Sequence, residues 1–329
     1  MWASLASHFT RRLAVAVPTM LALSVVVFVV LRLLPADPLG MMLPPSATRA
    51  EVEALRHAMG LDRSLVAQYG TFLVNALHGD FGRSFVFNQP AISLIFQRLP
   101  ATLELAFVAL AIALVLGIPL GLIAGLKPRS VTDETIMTGS ILGFSLPNFW
   151  QGMMLIMIFS VWLGWLPSSG RGETGEIFGI TTSLATWDGL AHLILPATNL
   201  ALFQLSLVIR LTRTGVRETM PLDFIKFARA KGLSERRIIS VHVMKNILIP
   251  IVTVVGMEFG SLIAFAVVTE TIFAWPGIGK LLIDSITVLD RPVVVAYLLV
   301  VVTMFIFINL AVDIVYSMLD PRIRLSETQ

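Results

Sequence analysis

Six long runs of this 329-residue chain carry almost no charge, and each is about as long as a membrane is thick. A helix rises about 1.5 Å per residue and the hydrocarbon core of a bilayer is about 30 Å deep, so roughly 20 apolar residues cross it. The runs cover about residues 13–33, 102–126, 135–163, 190–209, 247–271 and 293–317, and the third is interrupted at Pro147. Backbone groups in lipid must be paired within the chain, and a helix does this alone. The runs do not alternate polar with apolar residues, which excludes membrane strands. The expected fold class is an all-α membrane protein with six transmembrane helices. Composition agrees: only 14% of the residues are charged, against about a quarter in soluble domains. The chain has no cysteine, which excludes disulfide scaffolds and thiolate metal sites.

Lysine and arginine in the connections set the orientation. With the N-terminus inside, most of the chain's 24 cations fall on the inner side. They include Arg11, Arg12, Lys127, Arg129, the run from Arg210 to Lys245, Arg322 and Arg324. The two short outer connections carry only Arg171, Lys280 and Arg291. Both termini are therefore expected in the cytoplasm. The apolar core of the first run is nearer 20 than about 10 residues and lacks a small-x-small cleavage site, so it reads as an uncleaved anchor. Residues 1–34 are a tail and the first helix. Residues 35–100 form a small helical extracytoplasmic region, with Ser46 or Thr48 capping one short helix and Gly60 ending it. Residues 101–318 hold the other five helices and a basic loop over 214–246. Residues 319–329 are a cytoplasmic tail.

The basic loop contains the stretch "MPLDFIKFARAKGLSERRIISVHVMKNILIP". Pro221 and Asp223 suit a helix start. Phe224, Phe227, Ala228 and Lys231 recur at helical spacing and share a face. Gly232 is placed to end this helix in a left-handed cap. Ser234 and Glu235 suit the start of a second helix that merges with the fifth span. A headgroup-bound amphipathic helix would explain the charge. The helix–Gly–helix break and the surplus of cations point instead to a docking element for a soluble partner.

These residues resemble the coupling loop of membrane subunits of ATP-binding-cassette importers, and most closely the dipeptide/oligopeptide permeases, a group that includes nickel and glutathione permeases. "ARAKGL" at 228–233, the pair Arg236–Arg237, His242, Asn246 and Pro250 follow the order seen in that group. The general importer pattern is Glu-Ala-Ala, three residues, then Gly. Lys226, Phe227 and Ala228 stand in the first three places, so only the last Ala and Gly232 match. Lys245 stands where a Pro is usual. This departure is similar to one of two unequal permease types that pair. Other segments extend the resemblance over most of the chain, among them "LPATLELA", "SLPNFWQGMMLIMIFSVWLGWLPSSG", "VVTETIFAWPGIGKLLIDSI" and "VDIVYSMLDPRIR".

The resemblance implies a multi-pass permease of a bacterial cytoplasmic (inner) membrane that forms half of a translocation pathway for peptides. Nickel complexes or glutathione are the alternative cargoes. The implied partners are a second homologous permease, two ATPase subunits, an extracytoplasmic binding protein and the lipid bilayer, with no nucleic acid. The chain itself would be no enzyme and would hold no cofactor or metal, because ATP and Mg would sit on the ATPases. Phe224, Phe227, Ala228, Arg229, Ala230, Lys231, Gly232, Leu233 and Ser234 are the expected ATPase-coupling residues.

Glu258 lies midway along the fifth span, where a charge is costly and marks a candidate functional site. Asn199 and Gln204 lie near the centre of the fourth. All three are candidates for the pathway; bonding between neighbouring helices is the competing role. Three other readings fit the residues less well, a stand-alone ion-coupled carrier being kept as the lesser alternative. "WPGIGKLL" has Ala274 and Leu281 where a phosphate-binding loop needs Gly and Ser/Thr. The five histidines lack metal-ligand spacing inside a span. A stand-alone ion-coupled carrier would show repeats and several midplane charges, and Glu258 is the one clear case.

Overall fold

The computed structural model describes residues 14, 17–29, 46–58 and 60–319. It divides into two compact units, Met1–Leu99 with Lys280–Ile306, and Pro100–Gly279 with Phe307–Gln329. Among the described residues four helices are long and apolar enough to cross a membrane, and a fifth candidate is a bent pair. Only Val17–Val29 of the expected first span is described, as the apolar helix α1; the remainder of that span and the tail from residue 320 lie outside the described residues.

In the first unit, α2 (Arg49–Ala58) begins where Thr48 accepts a bond from the Glu51 backbone N–H at 3.4 Å. Glu51 replies by accepting from the Thr48 N–H at 2.7 Å and its hydroxyl at 2.9 Å, a reciprocal cap. These bonds hold the Glu51 carboxyl below its ordinary pKa, the backbone bond most. Gly60 follows at φ 63°, as its place after the helix requires. Helix α3 (Leu65–Leu77) is capped by Ser64. It meets α1 through a Ser24–Tyr69 hydroxyl bond of 2.8 Å and the rings of Phe28, Tyr69 and Phe72. Val27, Val295 and Leu299 form the buried core beside them.

Helix α4 (Ala91–Leu126) is uninterrupted through Pro100 and Pro119 and starts well before the expected residue 102. At 36 residues it is about 54 Å long. The third apolar run is two helices, α5 (Val131–Ser145) and α6 (Asn148–Trp162), set at 108°. Pro147, expected to interrupt the run, thus marks a full break. The break exposes carbonyls that lipid cannot satisfy, and Gln151 answers them: its amide donates to Gly143 O at 2.7 Å and Leu146 O at 2.8 Å. The last part of α6, Ile156–Trp162, is a π-helix. A small antiparallel hairpin, β1 (Gly175–Ile177) and β2 (Ile180–Thr182), lies in the connection that follows. It falls outside the apolar runs.

Helix α7 (Trp187–Thr219) runs past the expected end at Ile209 into the start of the basic loop. Short α8 (Asp223–Ala230) precedes α9 (Glu235–Ile272), which passes through a π turn at Ile238–Val243 and carries Pro250 within it. Then come α10 (Ile278–Thr287) and α11 (Arg291–Leu319).

Close approach of α4 and α7 is built from glycine. Gly117, Gly121 and Gly125 recur every four residues and face Val208, Thr212 and Val216, which recur in step. A stripe without side chains lets two membrane helices touch backbone to backbone.

Candidate functional site

Asn199, Gln204 and Glu258 line one cavity of about 290 Å3 in the second unit. Its walls come from the α5–α6 break, the middle of α7 and the middle of α9, with Phe144, Phe203 and Phe265 as the large apolar surfaces. The Phe144 and Phe203 rings stand 5.1 Å apart. Gln151, which caps the break, also lines it.

The polar groups of the cavity divide by how they are bonded. Asn199 Nδ2 donates to Thr269 Oγ1 at 3.0 Å and, by a short bond, to Asn148 Oδ1, so it ties α7 to α9 and α6. Its Oδ1 is buried without a partner. Gln204 donates weakly, at 3.4 Å, to the Glu258 carbonyl, and its Oε1 is also buried and unpartnered. A buried acceptor with no donor costs about 1–3 kcal/mol. Both oxygens are occluded within the packing, while their side chains contribute to the cavity lining. Glu258 is half-buried and is the one carboxylate among the lining residues.

The expected coupling residues form an elbow joining α7 to α9. Gly232 has φ 76°, the left-handed conformation its position in the sequence anticipated. Leu233 N–H bonds the Ala228 carbonyl at 3.2 Å and Gly232 N–H bonds the Arg229 carbonyl at 2.9 Å, a Schellman termination of α8. Arg229 grips Glu235 with two bonds, 2.6 and 3.2 Å, across the turn. Lys231 lies 4.5 Å over the Phe227 ring. Ser234 occupies the first position before α9 but makes no side-chain cap bond.

The shared face splits. Ala228 turns inward with Ile225, packing in a buried cluster with Val216, Ile238, Val243 and Ile247. Phe224 and Phe227 remain 41% and 61% exposed. Ala228 therefore seats the elbow on the spans, while the two phenylalanines face outward. A helical wheel puts Ala228 at the margin of the face, and tertiary packing claims it.

Sequence reasoning passed over three buried acids of the second unit. Asp133, 2% exposed, begins α5 and receives Arg213 at 2.6 Å and Arg217 at 2.5 Å from α7. Glu104 pairs with Arg171 and accepts the Ser183 N–H at 2.7 Å. Glu270, fully buried, takes the Thr102 hydroxyl at 2.6 Å. Thr102 in turn accepts the Ile278 N–H at 2.9 Å. Glu270 fills the space beside Gly277, so the glycines that mimic a phosphate loop are there to admit a carboxylate. The available signal was an acid inside or at the edge of an apolar run, the same one that singled out Glu258.

Two family descriptions match nearly the whole chain. "Binding-protein-dependent transport system inner membrane component" covers residues 117–325, and the corresponding N-terminal description covers residues 5–106. A di/tripeptide transport system permease protein, DppB, of Pseudomonas aeruginosa is 41% identical, over 97% of this chain and 98% of its own. The dipeptide transport system permease DppB of Escherichia coli K12 is 38% identical, over 95% and 97%. Among solved structures, inward-facing MetNI methionine ABC transporter chains align over 69% of this chain and 96% of theirs. That match has 17% identity and a TM-score of 0.53, a likeness of fold. With family and fold both in place, the chain belongs to the inner membrane components of binding-protein-dependent transport systems, and is a permease subunit of an ABC importer.

Proposed function

We infer that this permease carries short peptides, and that the cavity between α5–α6, α7 and α9 is its station on the pathway. The observation that carries the reading is the convergence of one carboxylate, Glu258, with the amide side chains Asn199 and Gln204 on one cavity. A peptide offers an α-ammonium for a carboxylate and backbone N–H and C=O groups for amide side chains, so the chemistries are complementary. The relatives named above are peptide permeases over their full length, which supports the same substrate class.

In this reading six helices cross the membrane with both termini in the cytoplasm, and residues 35–100 lie outside. A second homologous permease closes the pathway about a pseudo-two-fold axis. An extracytoplasmic binding protein delivers the peptide. Two ATPase subunits, which hold ATP and Mg, dock below on the elbow, with Phe224 and Phe227 as the exposed contacts. Ile225 and Ala228 root the elbow in the core that also holds α7 and α9, so a push on α8 is transmitted to the helices carrying Gln204 and Glu258. Alternating access follows as the elbow moves with ATPase closure.

The test is uptake of labelled dialanine by the complete complex in proteoliposomes. Glu258→Gln removes the charge and keeps the shape, and about ten-fold lower uptake or more is expected from loss of a charge-assisted bond. Wild-type uptake in Glu258→Gln would remove the residue from the pathway.

A further inference from the structure

Arg210 does not line the cavity itself but packs behind one of its walls, Phe144, and the reading above leaves it without a task. Arg210 lies on α7, six residues beyond Gln204, which is about 9 Å along the helix axis. It is seven residues beyond Phe203, two turns on, and so shares that face. Its guanidinium carbon stands 5.2 Å from the centre of the Phe144 ring, a wall of the cavity. Its Nε is buried and has no hydrogen-bond partner. The next two arginines of the helix, Arg213 and Arg217, are both neutralised by Asp133. Among the described residues no carboxylate stands within ion-pair distance of Arg210.

A half-buried guanidinium without an anion is unfavourable, and a phenyl face compensates it only in part. Its planar fork matches a carboxylate with two parallel bonds. A peptide of two or three residues spans at most roughly 7–11 Å, the same scale as the step from Gln204 to Arg210.

We propose that Arg210 is the carboxylate subsite of this cavity, taking the C-terminal group of a short peptide whose ammonium end lies toward Glu258. The inference rests on the peptide reading and deepens it. Two charges of opposite sign at the two ends of the bound peptide select zwitterionic di- and tripeptides over capped ones. The Phe144 ring holds the guanidinium in place until a carboxylate arrives.

Equilibrium binding of dialanine and of its C-terminal amide to the detergent-purified permease–ATPase complex, without the binding protein, tests this directly. Wild type is expected to bind dialanine about ten-fold tighter than the amide, as loss of a charge-assisted pair implies. Arg210→Gln should abolish that preference by weakening dialanine alone, and Arg210→Lys should keep part of it. Each comparison is a ratio within one protein, so a change in the amount of folded complex cancels. A wild type indifferent to the amide, or an Arg210→Gln that weakens both ligands equally, overturns the subsite and assigns Arg210 to packing. If dialanine uptake by the complete wild-type complex is intact in either of those cases, only the subsite falls. Absence of any dialanine uptake removes the peptide reading and the subsite with it.

Discussion

Replacing Gly121 by alanine adds one carbon where α4 meets α7. That carbon would stand 2.5 Å from Thr212 Cβ, 2.7 Å from the Ile209 carbonyl oxygen and 3.0 Å from Thr212 Cγ2. Ordinary contact begins near 3.4 Å, so the helices must part by roughly 1 Å. Two of the three obstacles, a carbonyl and a Cβ, belong to a rigid helix and cannot rotate away. Overpacking of this kind costs about 1–3 kcal/mol. Alanine also returns about 0.5–1 kcal/mol of helix propensity, which would blur a single measurement. Gly139 in α5 supplies the control, because a Cβ there meets nothing within 4 Å. Gly139→Ala carries the propensity gain without the clash, and the difference between the two variants isolates the clash. At about 2–4 °C per kcal/mol, Gly121→Ala should melt roughly 2–12 °C below Gly139→Ala. The assay is thermal unfolding of the detergent-purified complex. Equal melting temperatures would mean that α4 and α7 do not pack on this glycine stripe.

Two further outcomes follow from the elbow and the ionic tie above it. Gly232→Val forces a branched side chain to φ 76°, at a cost of about 1–2 kcal/mol, and should uncouple the elbow. Transport and peptide-stimulated ATPase should both fall steeply, with Gly232→Asn milder because Asn tolerates the left-handed region; wild-type rates in the valine variant would exclude the elbow from coupling. Asp133→Ala leaves Arg213 and Arg217 facing an empty site. Complete burial would put that loss near 3–5 kcal/mol, but the arginine side chains are 23% and 32% exposed, so about 2 kcal/mol is expected in the same melting assay. Asp133→Glu should recover part of it, and an unchanged melting temperature in Asp133→Ala would show the tie to be idle.

Much of this arrangement could be read from residue types and their spacing. Long apolar runs must be helices in lipid, whatever their neighbours, so the helical character of the runs was legible. Gly232 was legible because a helix that ends before a new cap needs one residue at positive φ. Thr48, Glu51 and Gly60 followed from the same local rules. Glu258 was legible because a charge stands out against an apolar run. The division of the Phe224, Phe227 and Ala228 face was not, since local spacing cannot say which side a neighbouring helix will cover. Asp133, Glu104 and Glu270 carried the same signal as Glu258, but their partners Arg213, Arg171 and Thr102 are distant in sequence, so spacing could not supply the contacts.

The amino-acid sequence alone determined that the chain enters a membrane, that its apolar runs are helical, and that the basic loop turns at Gly232. These are consequences of backbone hydrogen bonding and of φ at single residues, and both act over a few positions. The tertiary structure alone decided that Pro147 makes a break of 108°, that Gln151 caps it, and that Asn199, Gln204 and Glu258 share one cavity. It also set Arg210 against Phe144, with no carboxylate among the described residues within ion-pair distance. Those features depend on which helices meet and at what depth, and side-chain packing between segments far apart in the chain sets that.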